Sequence, residues 1–315
     1  MEQKTKTLEN NTYFTKIVES TEIDGAQVQN TIYPLSLQGV KELTKNIAES
    51  ELVDVEYLTV NSFTDYTREQ LKDKKYRDMN NEFVIEGIKL VREAIQEKAK
   101  IKQIIICDDC ENSDIPKDLT YEIAKYDCIY VSKQVFNLIT EVKSPQGILA
   151  VVSKENAEND IDYSQDIIVA LDDLQDPGNL GTILRTVDSI GLTQILVSKG
   201  TADCFNPKVV RSTMGAIFRI KIIEVEDLRQ AIKEIKKHHF KLMVTSLQTD
   251  NSIYDVDFHK KIIVIGNESN GVSQEIQDIA DEKAKIPMLG KTESLNASVA
   301  AGIVMYEYVR QKLSK

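Results

Sequence analysis

Histidine and cysteine are scarce in this chain, three and four among 315 residues. With almost no histidine at the ends of apolar runs, a histidine-centred acid–base pair or catalytic triad is disfavoured. Four cysteines over this length are not a disulfide framework. Cys107 and Cys110 form a lone C-x-x-C at a strand end. A zinc site needs about four ligands, and neither Cys128, Cys204 nor the scattered histidines supply ligand spacing. The expectation is therefore no metal, and two small residues in a reducing cytoplasm. Long apolar runs are missing too: none approaches the roughly 18 residues of a membrane span. The opening MEQKTKTLENNTYF has no apolar core of the kind a signal peptide carries. Positive charge is in deficit, with a net charge of -11. That argues against a general nucleic-acid coat protein while leaving room for a local basic patch.

Two nucleotide-binding loops are also absent. No G-x-G-x-x-G follows any strand, which argues against a dinucleotide site. The stretch GKT at Gly290 to Thr292 resembles the end of a phosphate-binding loop, but the glycine required five residues earlier is Lys285.

The length suggests about two domains, and 42% hydrophobic residues suffice for real cores. Residues 1–66 are polar and acidic, with one helical stretch near Leu37 to Ile47, and read as an extension of unknown role. Basic residues then cluster in REQLKDKKYRD, Arg68 to Asp78. An alternation follows within 67–153: strands at Phe83 to Glu86, IKQIIIC, CIYV and GILAVVS, with helices at Ile88 to Ala99, Lys117 to Tyr126 and Ser132 to Thr140. That predicts a small α/β domain. Residues 154–166 are almost all polar or acidic and read as a linker.

A second alternation fills 167–315. Strands are predicted at IIVAL, QILVS, RIKIIEV, KLMVTS, KIIVIG and AKIPM. Helices are predicted at Leu180 to Ile190, Pro207 to Met214, Asp227 to Lys237, Ser273 to Asp281 and Asn296 to Leu313. This is a doubly wound α/β pattern with a mostly parallel sheet, whose ligands sit beyond the carboxyl ends of the strands.

Three stretches at such ends carry candidate chemistry. In DPGNLGTILRTVDSIG, Asn179 is placed to cap a helix, with Leu180, Ile183, Leu184 and Val187 as its apolar face. Arg185 lies off that face, either paired with Asp188 or solvated. In GNESNG, Gly266 to Gly271, a carboxylate stands among asparagines and glycines. That loop is either a strand-to-helix turn using positive φ or a ligand loop. In IPMLGKTESLNASVAAG, a strand ends, a polar loop follows, and the helix from Asn296 presents Ala297, Ala300, Ala301 and Val304 as a small-residue face.

Taken together and in this order, the three stretches resemble motifs 1, 2 and 3 of the SpoU (TrmH-like) RNA 2′-O-ribose methyltransferases of the SPOUT superfamily. Asn179 to Thr186 is similar to N-L-G-x-I-x-R-T, Gly266 to Gly271 to G-N-E-x-x-G, and Ile286 to Met288 with Ser294 to Ala300 to I-P-M…S-L-N-x-S-V-A. Upstream, EFVIEGIKLVREAI and SPQGILAVV resemble the small RNA-binding domain often fused in front. The resemblance implies a trefoil-knotted C-terminal domain, S-adenosylmethionine as cofactor, RNA as substrate and a homodimer, with no membrane and no metal. It implies Arg185 as the catalytic arginine, with Asn179, Glu268, Ser294 and Asn296 around it. It implies a cofactor cradle of Gly266, Asn267, Ile286, Met288, Leu295 and Leu247. RNA contact is expected at Arg68, Lys72, Lys74, Lys75 and Arg77, and at Lys208 and Arg211 near the catalytic side. The implied substrate is 23S rRNA in preference to tRNA. The alternatives are a tRNA 2′-O-methyltransferase and a non-catalytic RNA-binding knot protein.

Overall fold

The computed structural model describes the backbone of residues 6–7, 14–23, 26–32 and 53–56, and all of residues 73–107, 110, 115–154 and 160–314. The helix expected near Leu37 to Ile47, and the basic candidates Arg68 and Lys72, lie outside the described residues. The chain divides into two compact units, Met1–Glu155 and Asn156–Lys315.

The first unit is built on an eight-stranded sheet. Its C-terminal part comprises β5 (Glu82–Glu86), β6 (Ile101–Cys107), β7 (Cys128–Val131) and β8 (Ile148–Ser153), adjacent in the order β7-β6-β8-β5. Helix α1 (Lys74–Asn80) precedes them, and α2 (Ile88–Gln96), α3 (Lys117–Ile123) and α4 (Lys133–Ile139) connect them. Val84, Ile105, Ile129, Phe136 and Leu149 meet in the core. Four strands come from the N-terminal stretch that sequence patterning leaves unread: β1 (Lys6–Thr7), β2 (Phe14–Ile23), β3 (Ala26–Ile32) and β4 (Val53–Glu56). β2 pairs antiparallel with β3, β4 and β7.

Two expectations change here. Arg77 is not an exposed RNA ligand: α1 turns it inward, and it is 2% exposed. Lys74 and Lys75 on the same helix face solvent. Cys107 and Cys110 are not merely two small residues. They are joined as a disulfide, with Cα atoms 5.6 Å apart, inside the range that cross-link requires.

In the second unit, β9 (Ile167–Leu171), β10 (Gln194–Ser198), β11 (Lys221–Val225), β12 (Lys241–Thr245), β13 (Lys261–Ile265) and β14 (Glu282–Ala284) form a sheet ordered β11-β10-β9-β13-β12-β14. Every pairing in it is parallel. The four inner strands carry continuous apolar runs because both faces are covered, whereas the edge strands β11 and β14 do not. Ile167, Val169, Leu171, Ile263 and Ile265 face one layer, holding α5 (Pro177–Ser189), α6 (Pro207–Thr213) and α9 (Ala297–Leu313). Ile168, Ala170, Ile262 and Val264 face the other, holding α7 (Leu228–Lys236) and the short α8 (Gln274–Gln277).

The final strand is shorter than expected. β14 stops at Ala284, leaving Ile286 to Met288 outside any strand. β12, its only sheet neighbour, ends at Thr245, and Pro287 has no N–H to extend a ladder. Beyond Ala284 the chain runs alongside the loop after β12: Lys285 N–H donates to Asn251 O, and Ile253 N–H to Lys285 O. α9 then packs on α5 and on the 253–255 turn. Among the described residues no helix is long and apolar enough to cross a membrane.

The start of this unit is fastened down. Gln194, nearly fully buried, exchanges two hydrogen bonds with the backbone of Asp162, and Lys260 Nζ donates to the carbonyls of Tyr163 and Gln165. Tyr163 also stacks on His238.

Candidate active site

The three motif stretches meet at the carboxyl ends of β9 and β13. These strands are neighbours at the point where the strand order reverses, which is where doubly wound sheets hold ligands.

Motif 2 turns sharply after β13. Asn267 and Gly271 exchange backbone hydrogen bonds of 3.0 and 2.9 Å. Asn267 Oδ1 accepts from the N–H groups of Ser269 and Asn270, and its Nδ2 donates to Asp173 O. Gly271 has φ 69°. A Cβ on Gly266 would lie 2.1 Å from the carbonyl carbon of Gly271 and 2.2 Å from Val272 N. The loop's own returning backbone therefore requires glycine there.

Glu268 projects from this loop to the N-terminus of α5. Its carboxylate accepts from the N–H of Gln175 at 3.0 Å, the N–H of Asp176 at 2.9 Å and Asn179 Nδ2 at 3.0 Å. Partial desolvation alone would raise its pKa. The Asn179 amide and the two backbone N–H groups outweigh that and hold the carboxyl below the usual glutamate range. Glu268 is thus an ionised brace and not a proton carrier at neutral pH.

The helix cap corrects one expectation. Asp176, not Asn179, is the N-cap of α5: its carboxylate accepts from Asn179 N–H at 2.7 Å, with Pro177 in the first helical position. The helix therefore begins at Pro177 and not at Leu180. Asn179 is freed for a second task. Its Nδ2 donates to Glu268, and its Oδ1 accepts from Asn296 Nδ2 at 2.9 Å. Asn296 in turn caps α9, its Oδ1 accepting from the N–H groups of Ser298 and Val299. Glu268, Asn179 and Asn296, one from each motif, form a continuous hydrogen-bonded line.

Arg185 is on α5 and exposed, with no hydrogen-bond or ion-pair partner among the described residues. The alternative of pairing with Asp188 does not occur. That carboxylate is taken by Arg219, whose Nε lies 3.1 Å from both oxygens and Nη2 2.9 Å from one. Ser294 is exposed in the loop before α9. α6 lies against α5, where a Cβ on Gly181 would stand 2.8 Å from Val209 O. That contact brings the helix of exposed Lys208 and half-buried Arg211 beside the helix of Arg185.

Of the expected cradle residues, Leu247 follows the end of β12, Ile286 and Met288 follow β14, and Leu295 precedes α9. Ile286, Met288 and Leu295 are half-buried, while Leu247 is 63% exposed and Leu289 wholly exposed. Among the described residues no group of three His, Cys, Asp or Glu side chains is placed to hold a metal ion.

Residue patterning missed several positions. Asp172, buried at the end of β9, accepts from Ser273 N–H at 2.7 Å and pins the far end of the motif 2 loop. Asp173 adopts φ 54° and is bound through both its N–H and its carboxylate to Ser198 Oγ. Gln175 Nε2 donates to Gly200 O. Two carboxylates directly after IIVAL were the available signal.

Comparison with known proteins places these features. A profile described as the SpoU rRNA Methylase family matches residues 166–306, and one described as the MRM3-like substrate binding domain matches residues 67–150. The 23S rRNA (guanosine(2553)-2′-O)-methyltransferase RlmP of Bacillus subtilis is 34% identical over 75% of this chain and 92% of its own length. The SpoU methyltransferase AviRb from Streptomyces viridochromogenes, solved in complex with the cofactor AdoMet, superposes with a TM-score of 0.72 at 26% identity, over 81% of this chain and 99% of that one. The AdoMet-bound rRNA methyltransferase from Sinorhizobium meliloti gives 0.71 at 30% identity, over 80% and 95%. With a SPOUT-type C-terminal domain and this relatedness along most of its length, the chain belongs to the SpoU rRNA methylase family.

Proposed function

We propose that this protein uses S-adenosylmethionine to methylate a ribose 2′-hydroxyl in 23S rRNA. The observation that carries the reading is the line Glu268–Asn179–Asn296, which joins three distant motifs at the start of the helix that bears Arg185. The 23S rRNA methyltransferase names of the relatives favour this substrate over tRNA.

S-adenosylmethionine, when bound, supplies a methyl group already activated on a sulfonium, so the protein need only position the acceptor and ease loss of its proton. The cradle we assign is Gly266, Asn267, Ile286, Met288 and Leu295, with Leu247 at its edge. The Arg185 guanidinium offers a fork of N–H donors and no acceptor. Its role is to grip the phosphate beside the target ribose and to stabilise negative charge as it develops on the 2′-oxygen. Asn179 and Asn296 fix α5 and α9 at the distance the acceptor requires, and Ser294 binds the ribose. Glu268 holds the N-terminus of α5 in register.

Residues 67–153 serve as the RNA-binding module, 154–166 as its linker and 167–315 as the methyltransferase domain; to 1–66 we assign no role. Lys74, Lys75, Lys208 and Arg211 supply phosphate contacts. An acidic chain has weak non-specific phosphate attraction, so selectivity falls to shape readout of a folded RNA loop. The working form is a cytoplasmic homodimer. α9 supports this: besides its buried face it exposes Val299, Tyr306 and Leu313, and a Cβ on Gly302 meets nothing within 4 Å. Such a stripe suits an isologous contact.

The test is methyl transfer to purified 23S rRNA and to tRNA, with 2′-O-methyl mapping in cells with and without the protein. Methylation of tRNA alone would overturn the substrate, and binding of RNA without turnover would overturn the enzyme.

A further inference from the structure

The unpaired state of Arg185 needs an explanation, because the helix supplies it with a partner. Asp188 is three residues further along α5, a spacing that makes two side chains neighbours on a helix surface. Asp188 also stands in the last turn of α5, where the helix dipole disfavours negative charge. A half-buried carboxylate so placed takes a cation if one is in reach. Arg219, immediately after the 3-10 turn Ala216–Phe218 that packs on α5, provides it through a forked contact to both oxygens. Arg185 is left facing solvent.

Resting on the proposed catalytic role of Arg185, we infer that Arg219 is a positioning residue for methyl transfer: it sequesters Asp188 and so keeps the Arg185 guanidinium available to the RNA. It need not touch the RNA itself. A guanidinium suits the task because its planar fork occupies both carboxylate oxygens at once, which an ammonium cannot do. Without Arg219, Asp188 turns to the next cation on its own helix, and the fraction of molecules with a free Arg185 falls. Turnover falls with that fraction.

The experiment uses the full-length chain, tritiated S-adenosylmethionine and protein-free 23S rRNA. Arg219→Ala is expected to lower kcat about threefold to tenfold, with donor affinity unchanged by calorimetry. Arg219→Lys should retain intermediate activity. The deciding variant is Arg219→Ala combined with Asp188→Asn, which removes the competitor and should restore kcat. Arg219→Gln, alone and with Asp188→Asn, repeats the comparison should the alanine variant melt early. Wild-type kcat in the single variant, a rise in KM for RNA without loss of kcat, or no recovery in the double variant overturns the inference. Arg185→Ala is run beside them. Should it retain turnover, the catalytic reading itself fails; should it be inactive while Arg219→Gln and Arg219→Ala stay fully active, only the present inference fails.

Discussion

Asn296 and Asn179 are 117 residues apart in sequence, yet the side-chain amide of one donates to that of the other at 2.9 Å. Each has a second commitment, Asn296 as the cap of α9 and Asn179 as the ligand of Glu268. The bond therefore ties the start of the last helix to the start of the first helix of the same unit. The two losses can be separated. Asn296→Asp keeps the capping oxygen and removes the donor to Asn179, whereas Asn296→Ala removes both, the cap being worth about 1 kcal/mol. A double-mutant cycle between Asn179→Ala and Asn296→Ala should show a coupling of about 0.5–1.5 kcal/mol by urea denaturation. Strict additivity would mean that the bond contributes nothing.

Arg185→Ala should lower methyl transfer about a hundredfold or more, the range seen when one donor to a developing oxyanion is removed. Affinity for S-adenosylmethionine should stay within about twofold, because the role proposed for the arginine is toward the acceptor and not the donor. Turnover and calorimetric titration on the same preparation check both halves.

The inner strands of the second unit were legible as sequence because burial on both faces writes them as apolar runs. Arg185 and the motif loops were legible through resemblance. The contacts that organise them were not, since Glu268 and Asn179 are 89 residues apart and nothing local records their meeting. Asn179 also misleads locally: it reads as a cap, but Asp176 together with Pro177 wins that position. Arg77 fails for a related reason, because REQLKDKKYRD, polar apart from Leu71 and Tyr76, does not reveal which side of α1 turns inward. Pro287 did mark the early end of β14, and the apolar flanks around it hid the signal.

Gly266→Ala tests whether the loop depends on its own close approach. The added Cβ would meet only backbone, 2.1 to 2.3 Å away, so no side chain can swing aside. The loop must shift, at a cost of about 1–3 kcal/mol in stability, and affinity for S-adenosylmethionine should weaken in parallel. Unchanged melting and affinity would show that the loop accommodates a methyl group.

Tyr306→Glu should convert the proposed dimer to a single-chain species in equilibrium sedimentation at micromolar concentration. Tyr306 is half exposed on α9, with its hydroxyl 3.3 Å from Ser189 Oγ on α5, and a carboxylate meeting its own copy across a two-fold axis brings like charges together. A wild-type protein that sediments as one chain would remove the dimer from the proposal.

Acid should weaken the site through Glu268. Its folded-state pKa is depressed, so the unfolded chain holds this proton more tightly than the folded one. The stabilisation is fully present above the unfolded value of about 4.3. It is lost as pH falls through the lower folded value, where the carboxylate stops accepting fully from Asn179, Gln175 and Asp176. Wild type should therefore show a decline in melting temperature below about pH 4.3 that is shallower in Glu268→Gln, which has no proton to gain. At neutral pH Glu268→Gln should be the less stable, because its amide turns a donor toward one N–H that the carboxylate had satisfied, and the two proteins should converge in acid. Because the side chain is solvent-accessible, water replaces part of what is lost, and the difference should not exceed about 1 kcal/mol. Parallel melting curves at all pH values would show that Glu268 does not brace α5.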